Sequence, residues 1–180
     1  MCGIFGIIKG KNSSLSSKEI ESITKELFLL SELRGKESAG IAIKNTGNSS
    51  IEVYKNAVPA SQLIKNKDFV NLLNTNISSS IESQSSLSIV GHTRLVTNGD
   101  QSNNSNNQPV IKNNYVGVHN GIICNIDNLW KETTSFTQQN DVDTEWLFGK
   151  LSEKISNSSD QVSKHFENTF NDIEGTVSLA

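Results

Sequence analysis

The chain has 180 residues, enough for one domain with a sizeable core. Its net charge of -3 and scattered lysines exclude the clustered basic surface of a nucleic-acid binder. No run reaches the ~20 apolar residues that span a bilayer, and the apolar start at 4–8 is too short and lacks the basic flank of a signal peptide.

Residues 3–8 predict a buried strand, ended by Lys9-Gly10-Lys11-Asn12. Ser16-Ser17-Lys18-Glu19 fits a capping box, with Ser16 as N-cap and Glu19 at N3. The helix that follows sets Ile20, Ile23, Leu27 and Leu30 on one apolar face and ends by Leu33-Arg34-Gly35. Residues 38–44 read as a strand, 45–48 as a turn and 51–55 as the hairpin partner. A helix is expected over 60–74, through Leu63, Ile64, Phe69, Val70 and Leu73. The Ser/Asn-rich stretch 74–88 reads as a loop, although Ile77 and Ile81 suit a short helix. Strands are expected within 87–96 and over 115–120, with the polar run 98–107 between them as a loop. Helices follow at 127–132, at 143–155 (Trp146, Leu147, Leu151 and Ile155 inward) and at 159–171, and a strand begins in 174–180. There is no internal repeat and no linker, so 1–180 reads as one domain.

Cys2 and Cys124 are too far apart in sequence for a metal signature and too few for a disulfide framework. Both read as free thiols in a reducing compartment, the cytoplasm, with Cys124 structural. Position two is different in kind. A small residue there permits removal of Met1, after which Cys2 carries a thiol and a free α-amino group. That amine has a pKa near ~7.7–8.0, so nucleophile and general base share one residue.

Four further segments surround this start: Arg34-Gly35-Lys36-Glu37-Ser38-Ala39-Gly40, Gly91-His92-Thr93-Arg94-Leu95-Val96-Thr97-Asn98-Gly99, His119-Asn120-Gly121-Ile122-Ile123-Cys124-Asn125 and Asn140-Asp141-Val142-Asp143-Thr144-Glu145. With Met1-Cys2-Gly3-Ile4, in this order, the chain resembles the class II glutamine amidotransferases, which are N-terminal-nucleophile hydrolases. The likeness is to the branch acting on fructose 6-phosphate and phosphoribosylpyrophosphate, Gln108-Pro109 being more like the latter. The resemblance implies an α+β fold, a four-layer αββα sandwich of two largely antiparallel sheets. It implies that Cys2 attacks the side-chain amide of L-glutamine, releasing ammonia and leaving a γ-glutamyl thioester that water hydrolyses. Asn120 and the Gly121 N–H would hold the oxyanion. Arg94 suits the α-carboxylate and Asp143 the α-ammonium. Thr97 and Asn98 match a loop that closes over bound glutamine. No cofactor and no metal are implied, and the expected partner is an acceptor or synthase domain or subunit, with sugar amination as the leading outcome.

Simpler roles exist for the same residues. Arg94 would serve as a surface ion pair, Asp143 as a helix N-cap and Asn120-Gly121 as a hairpin turn. His92 and His119 read as satisfied core histidines, His165 as exposed, and Arg34 as a holder of either the terminus or a loop. Leu95 stands where the sugar-phosphate branch has Trp, which puts coupling to an acceptor in question. The domain of that family runs on with further strands, so the expected sheet is incomplete at its C-terminal end. Two other functions compete: an amidase acting on another amide, which the Arg94 and Asp143 pairing disfavours, and a catalytically silent module that binds glutamine or a partner chain.

Overall fold

The computed structural model describes residues 2–48, 50–96, 99–153 and 159–180; Met1, Thr97, Asn98 and Ile155 lie outside them. In chain order the elements are β1 (Gly3–Lys9), α1 (Ser17–Glu32), β2 (Ser38–Asn45), β3 (Ile51–Asn56), α2 (Ala60–Leu63), α3 (Lys67–Glu82) and β4 (Leu87–Arg94). The second half adds β5 (Val110–Lys112), β6 (Tyr115–Gly117), β7 (His119–Ile123), α4 (Ile126–Glu132), α5 (Asp143–Leu151), α6 (Ser159–Asn171) and β8 (Gly175–Leu179). The fold is α+β, and every strand pair is antiparallel: β1-β4-β2-β3 in one sheet, then β5-β6 and β7-β8.

β1 pairs with β4 alone among the described residues, so only alternate side chains point inward. Phe5 is buried while Ile8 is 85% exposed, which corrects the expectation of a strand buried throughout. Lys9 is buried instead, its Nζ donating to the carbonyls of Ser80 (3.3 Å) and Ser85 (3.0 Å) at the C-terminal end of α3. The Ser80 carbonyl, in the last turn of α3, lies at the negative end of the helix dipole, which suits a cation.

α1 begins on the expected capping box: Ser16 Oγ accepts from Glu19 N, and the Glu19 carboxylate accepts from Ser16 N at 2.8 Å. Its buried face is Ile20, Thr24 and Phe28, with Leu27 packed against the core; of the apolar stripe read from sequence, Ile20 and Leu27 turn inward while Ile23 and Leu30 are exposed. Thr24 belongs on the buried face because its hydroxyl donates to Ile20 O at 2.7 Å and carries no unmet polar group inward. Phe28 then packs edge-on against Phe5 and Phe69, with ring centroids 4.8 and 5.5 Å away.

The helix expected over 60–74 is two helices. Asn66 interrupts it and caps α3, its Oδ1 accepting from Asp68 N at 2.8 Å and Phe69 N at 3.4 Å. α3 runs on to Glu82, through the stretch read as loop. The reason is the same as in α1: Asn76 donates to Leu72 O and Ser80 to Ile77 O, so both polar side chains are buried without cost in unmet bonds.

The second half collects Val110, Ile123, Leu129, Val142, Trp146, Leu147, Phe148 and Leu151 into its own core. The single strand expected over 115–120 changes partner at Val118, which exchanges backbone bonds with Ala180. β6 therefore pairs with β5, an element missing from the sequence reading, and β7 continues to Ile123 against β8. Cys124, expected to be structural, is exposed; His165, expected to be exposed, is partly buried, with Nε2 3.0 Å from Lys150 O. No helix of the described residues is long and apolar enough to cross a membrane.

Candidate active site around Cys2

Antiparallel register assembles the site. Gly3 pairs with Thr93, which sets Cys2 beside Arg94 and Leu95 at the end of β4. Cys2 Sγ lies 3.4 Å from Leu95 O and accepts from Leu95 N at 3.3 Å. Arg34, just past α1, donates from Nε to Cys2 O at 3.0 Å. Arg34 therefore anchors the N-terminal strand, the alternative that the sequence left open.

Arg94 is 4% exposed, not a surface ion pair. Its Nη1 donates to Asn107 Oδ1 at 2.8 Å and its Nη2 to Gly99 O at 2.9 Å. Burial lowers its pKa, and the nearby Cys2, Glu37, Asp100 and Asp143 oppose that shift. Asp143 is the first residue of α5, with Val142 rather than itself at the N-cap. Its Oδ2 accepts from Ile123 N at 3.0 Å, and Oδ1 lies 3.6 Å from His119 Nδ1. Burial pushes the Asp143 pKa up, but His119 and the N–H groups of Ile123 and Thr144 outweigh it and leave a net lowering.

Asn120 and Gly121 are not a turn. They lie inside β7, opposite Ser178 and Val177 of β8. Successive strand residues face opposite ways, and the two flank Cys2 accordingly. Gly121 lines a cleft of about 20 Å³ with Cys2, Arg94, Asp143 and His119. Asn120 lines a cavity of about 380 Å³ with Cys2, Arg34 and Leu30. Gly121 must be glycine here: a Cβ would overlap Thr176 O and meet His119 Nε2 at 2.6 Å. The smaller cleft has room for about one water. A larger cavity of about 600 Å³ lies under α4 and α5 and shares no residue with Cys2; the geometry of reactive groups locates the candidate site better than cavity size does.

Four residues of this region take roles that the sequence reading did not give them. Gln108 binds the His119 backbone twice, Oε1 accepting from N at 2.5 Å and Nε2 donating to O at 2.9 Å, so a side-chain amide stands in for a neighbouring strand. Asn107 holds Arg94, and Thr144 Oγ1 lies 3.2 Å from His119 Nδ1. His119 is buried but not satisfied, since its Nε2 has no partner among the described residues. Neither ring nitrogen of His92 meets hydrogen-bond geometry among them either. Burial, then the charges of Arg94 and His119, lower the His92 pKa to about 3, with the His119 backbone pulling weakly the other way. His119 and Thr144 lie in the quoted motif segments and Gln108 in the Gln108-Pro109 pair, whereas Asn107 is hidden in a polar run.

Cys2 thus lines one cleft with a guanidinium and a carboxylate and a second cavity with a side-chain amide. Opposite charges on one cleft suit a zwitterion, and a neighbouring amide suits a developing oxyanion.

No family model matches the chain. It is 28% identical, over 99% of its length, to an isomerizing glutamine–fructose-6-phosphate aminotransferase of Sulfolobus acidocaldarius. Enzymes of the same name are 33% identical over 81% of the chain in Clostridium acetobutylicum and 30% over 82% in Rattus norvegicus. The chain spans 28%, 21% and 22% of the lengths of these three relatives. On this similarity, carried by most of its length, the chain belongs to the class II glutamine amidotransferase domains of the glutamine–fructose-6-phosphate aminotransferase branch.

Proposed function

We propose that residues 1–180 form one N-terminal-nucleophile unit, an αββα sandwich, that performs the glutamine-hydrolysing half of an amidotransfer. The observation that carries this reading is the position of Cys2 between a cleft lined by Arg94 and Asp143 and a cavity lined by Asn120.

With Met1 removed, the Cys2 α-amine takes the thiol proton as sulfur attacks the glutamine side-chain carbonyl. The C–S bond forms and the carbonyl electrons move to oxygen, where the Asn120 amide and the Gly121 N–H stabilise the charge. Collapse breaks the C–N bond, and the α-ammonium returns its proton to the departing ammonia. Water then attacks the thioester, the α-amine again accepts a proton, and glutamate leaves with the sulfur restored as thiol. Arg94 binds the α-carboxylate and Asp143 the α-ammonium. The 20 Å³ cleft is smaller than either group with its chain, so binding requires the cleft to widen. Thr97 and Asn98 are proposed to cover the bound amino acid. Released ammonia passes to an acceptor, a sugar phosphate by the names of the relatives, on a synthase segment or partner.

The narrow cleft also favours a second reading, a silent module that binds a partner without turnover. One experiment separates them: determine by intact mass whether Met1 is removed, assay glutamate release, and label with a glutamine-analogue electrophile. Turnover with an adduct on Cys2, both abolished in Cys2→Ala, is the expected result. Glutamate release by Cys2→Ala at the parental rate overturns the mechanism, and stable glutamine-free chain with Met1 retained supports the silent module.

A further inference from the structure

Arg94 does not hold its own orientation; it is held. A guanidinium presents five N–H donors in a rigid planar fork. Nη1 donates to Asn107 Oδ1 and Nη2 to Gly99 O, and these two bonds fix the plane of the fork. The Asn107 amide is itself oriented, because its Nδ2 donates to Gln101 O at 2.9 Å and to Asn104 Oδ1 at 3.2 Å, leaving the oxygen for Arg94. The Asn107 backbone is held by a lysine from the opposite edge of the sheet. Lys55 Nζ donates to Asn107 O at 2.5 Å and to Pro109 O at 2.9 Å, and Asn104 Nδ2 donates back to Lys55 O at 2.9 Å.

The sheet is shaped to receive this segment. Gly40 of β2 pairs with Lys55 of β3, and a Cβ at Gly40 would meet Lys55 Cβ at 2.7 Å and Pro109 Cδ at 2.9 Å and would overlap Gln108 O. Absence of that Cβ lets 107–109 lie directly on the strands. Burial, then repulsion from Arg94 of β4, lowers the Lys55 pKa to about 8. Placing a cation at that cost, with two carbonyl oxygens as its acceptors, is more than a surface loop requires.

We propose that Asn107, clamped by Lys55, is a positioning residue that sets the Arg94 guanidinium for the α-carboxylate of the amino-acid substrate. This rests on the reading of Arg94 given above. It assigns a role to two residues outside the recognised motifs, one of them on the far strand of the sheet.

The test is binding to the Cys2→Ala chain, measured by calorimetry with two probes: L-glutamine, and L-glutamine α-amide, which lacks the carboxylate. Asn107→Ala and Lys55→Met should weaken L-glutamine by roughly 10- to 100-fold, the range for a lost hydrogen bond to a charged group. Both should leave the α-amide within about twofold, as a general loss of structure would not. Lys55→Arg should restore glutamine affinity. It should also shrink the decline of affinity above pH ~8 relative to the parent, because arginine does not titrate there, the rest of the decline coming from the substrate α-ammonium. Arg94→Gln is the reference arm. If the Cys2→Ala chain binds no glutamine, or Arg94→Gln weakens both probes alike, the carboxylate reading of Arg94 fails and the proposal with it. If Arg94→Gln is selective for glutamine but Asn107→Ala and Lys55→Met are not, the positioning role alone is overturned.

Discussion

The two halves of the molecule bury charge in opposite ways. In the first, strands of six to eight residues form a four-stranded ladder, and thirteen buried apolar residues pack beneath it. Its buried cations pair with neutral oxygens among the described residues: Lys9 with the Ser80 and Ser85 carbonyls, and Arg94 with Asn107 Oδ1 and Gly99 O. In the second, strands are three to five residues long and sit in two-stranded pairs. There Lys112 Nζ lies 2.6 Å from Glu145 Oε1, and the same carboxylate accepts from Gln139 N at 3.0 Å and Asn140 N at 2.7 Å. Short two-stranded pairs are weak by themselves, and a buried ion pair with every neighbour satisfied fixes the segment leading into Asp143. One half is organised by its ladder, the other by a polar centre, and the candidate site lies where they meet.

The strongest way to break this contrast is to remove the centre. Glu145→Ala leaves the Lys112 ammonium and two backbone N–H groups buried without their acceptor, and should cost about 3–5 kcal/mol of stability. Hydrogen exchange should show 110–151 losing protection before β1 to β4. A loss below about 1 kcal/mol, or uniform exchange, would show that the pair does not organise that half. Phe28→Ala is the matching cut in the first half, expected to cost about 3–4 kcal/mol through the cavity left between Phe5 and Phe69. Its denaturant midpoint should fall with little change between pH 7 and 8, and protection should go first from β1 to β4.

Acid sharpens the comparison at the junction. The folded-state pKa of His92 is held near 3, below its ordinary 6.5, by burial and neighbouring cations. The unfolded chain therefore takes up the proton first, and this stabilisation is complete above pH 6.5 and drains away as pH falls toward 3. Asp143, also lowered, adds a loss of the same sign at acid pH. Near pH ~4.5 the histidine share should reach roughly 3 kcal/mol, read from denaturant midpoints, and His92→Gln should flatten the curve. An unchanged curve in that variant would remove His92 from the account. The smallest effect concerns a purely local device: Ser16→Ala should cost about 1 kcal/mol and fray the start of α1 by circular dichroism or exchange, with glutamate release unaffected.

How much was legible follows from where each hydrogen bond is made. The α1 cap, the β2–β3 hairpin, α4 and the start of α5 each depend on residues a few positions apart, and pattern reading found them. The tail of α3 was lost because Asn76 and Ser80 look like loop residues until their bonds to the preceding turn are seen. Leu30 and Ile23 were placed inward because spacing cannot tell which of two adjacent stripes meets Phe5 and Phe69. At the candidate site, the short motifs drew attention to Cys2, Arg94, Asn120, Gly121 and Asp143, and the fold brings these around one sulfur. Asn107 and Lys55 have no local signature, since their partners lie 13 and 52 or 54 positions away.

By itself the amino-acid order determined the class of fold, the local caps and hairpin, and a set of reactive side chains at recognisable spacings. Tertiary structure alone decided that His119 is buried with a ring nitrogen unpaired among the described residues, that Arg94 is held by an asparagine whose backbone a distant lysine binds, and that Lys112 and Glu145 share an interior. The division is physical. Dihedral preferences, caps and turns act within a few residues of the chain, whereas burial and the pairing of charges are set only when strands far apart in sequence come into register.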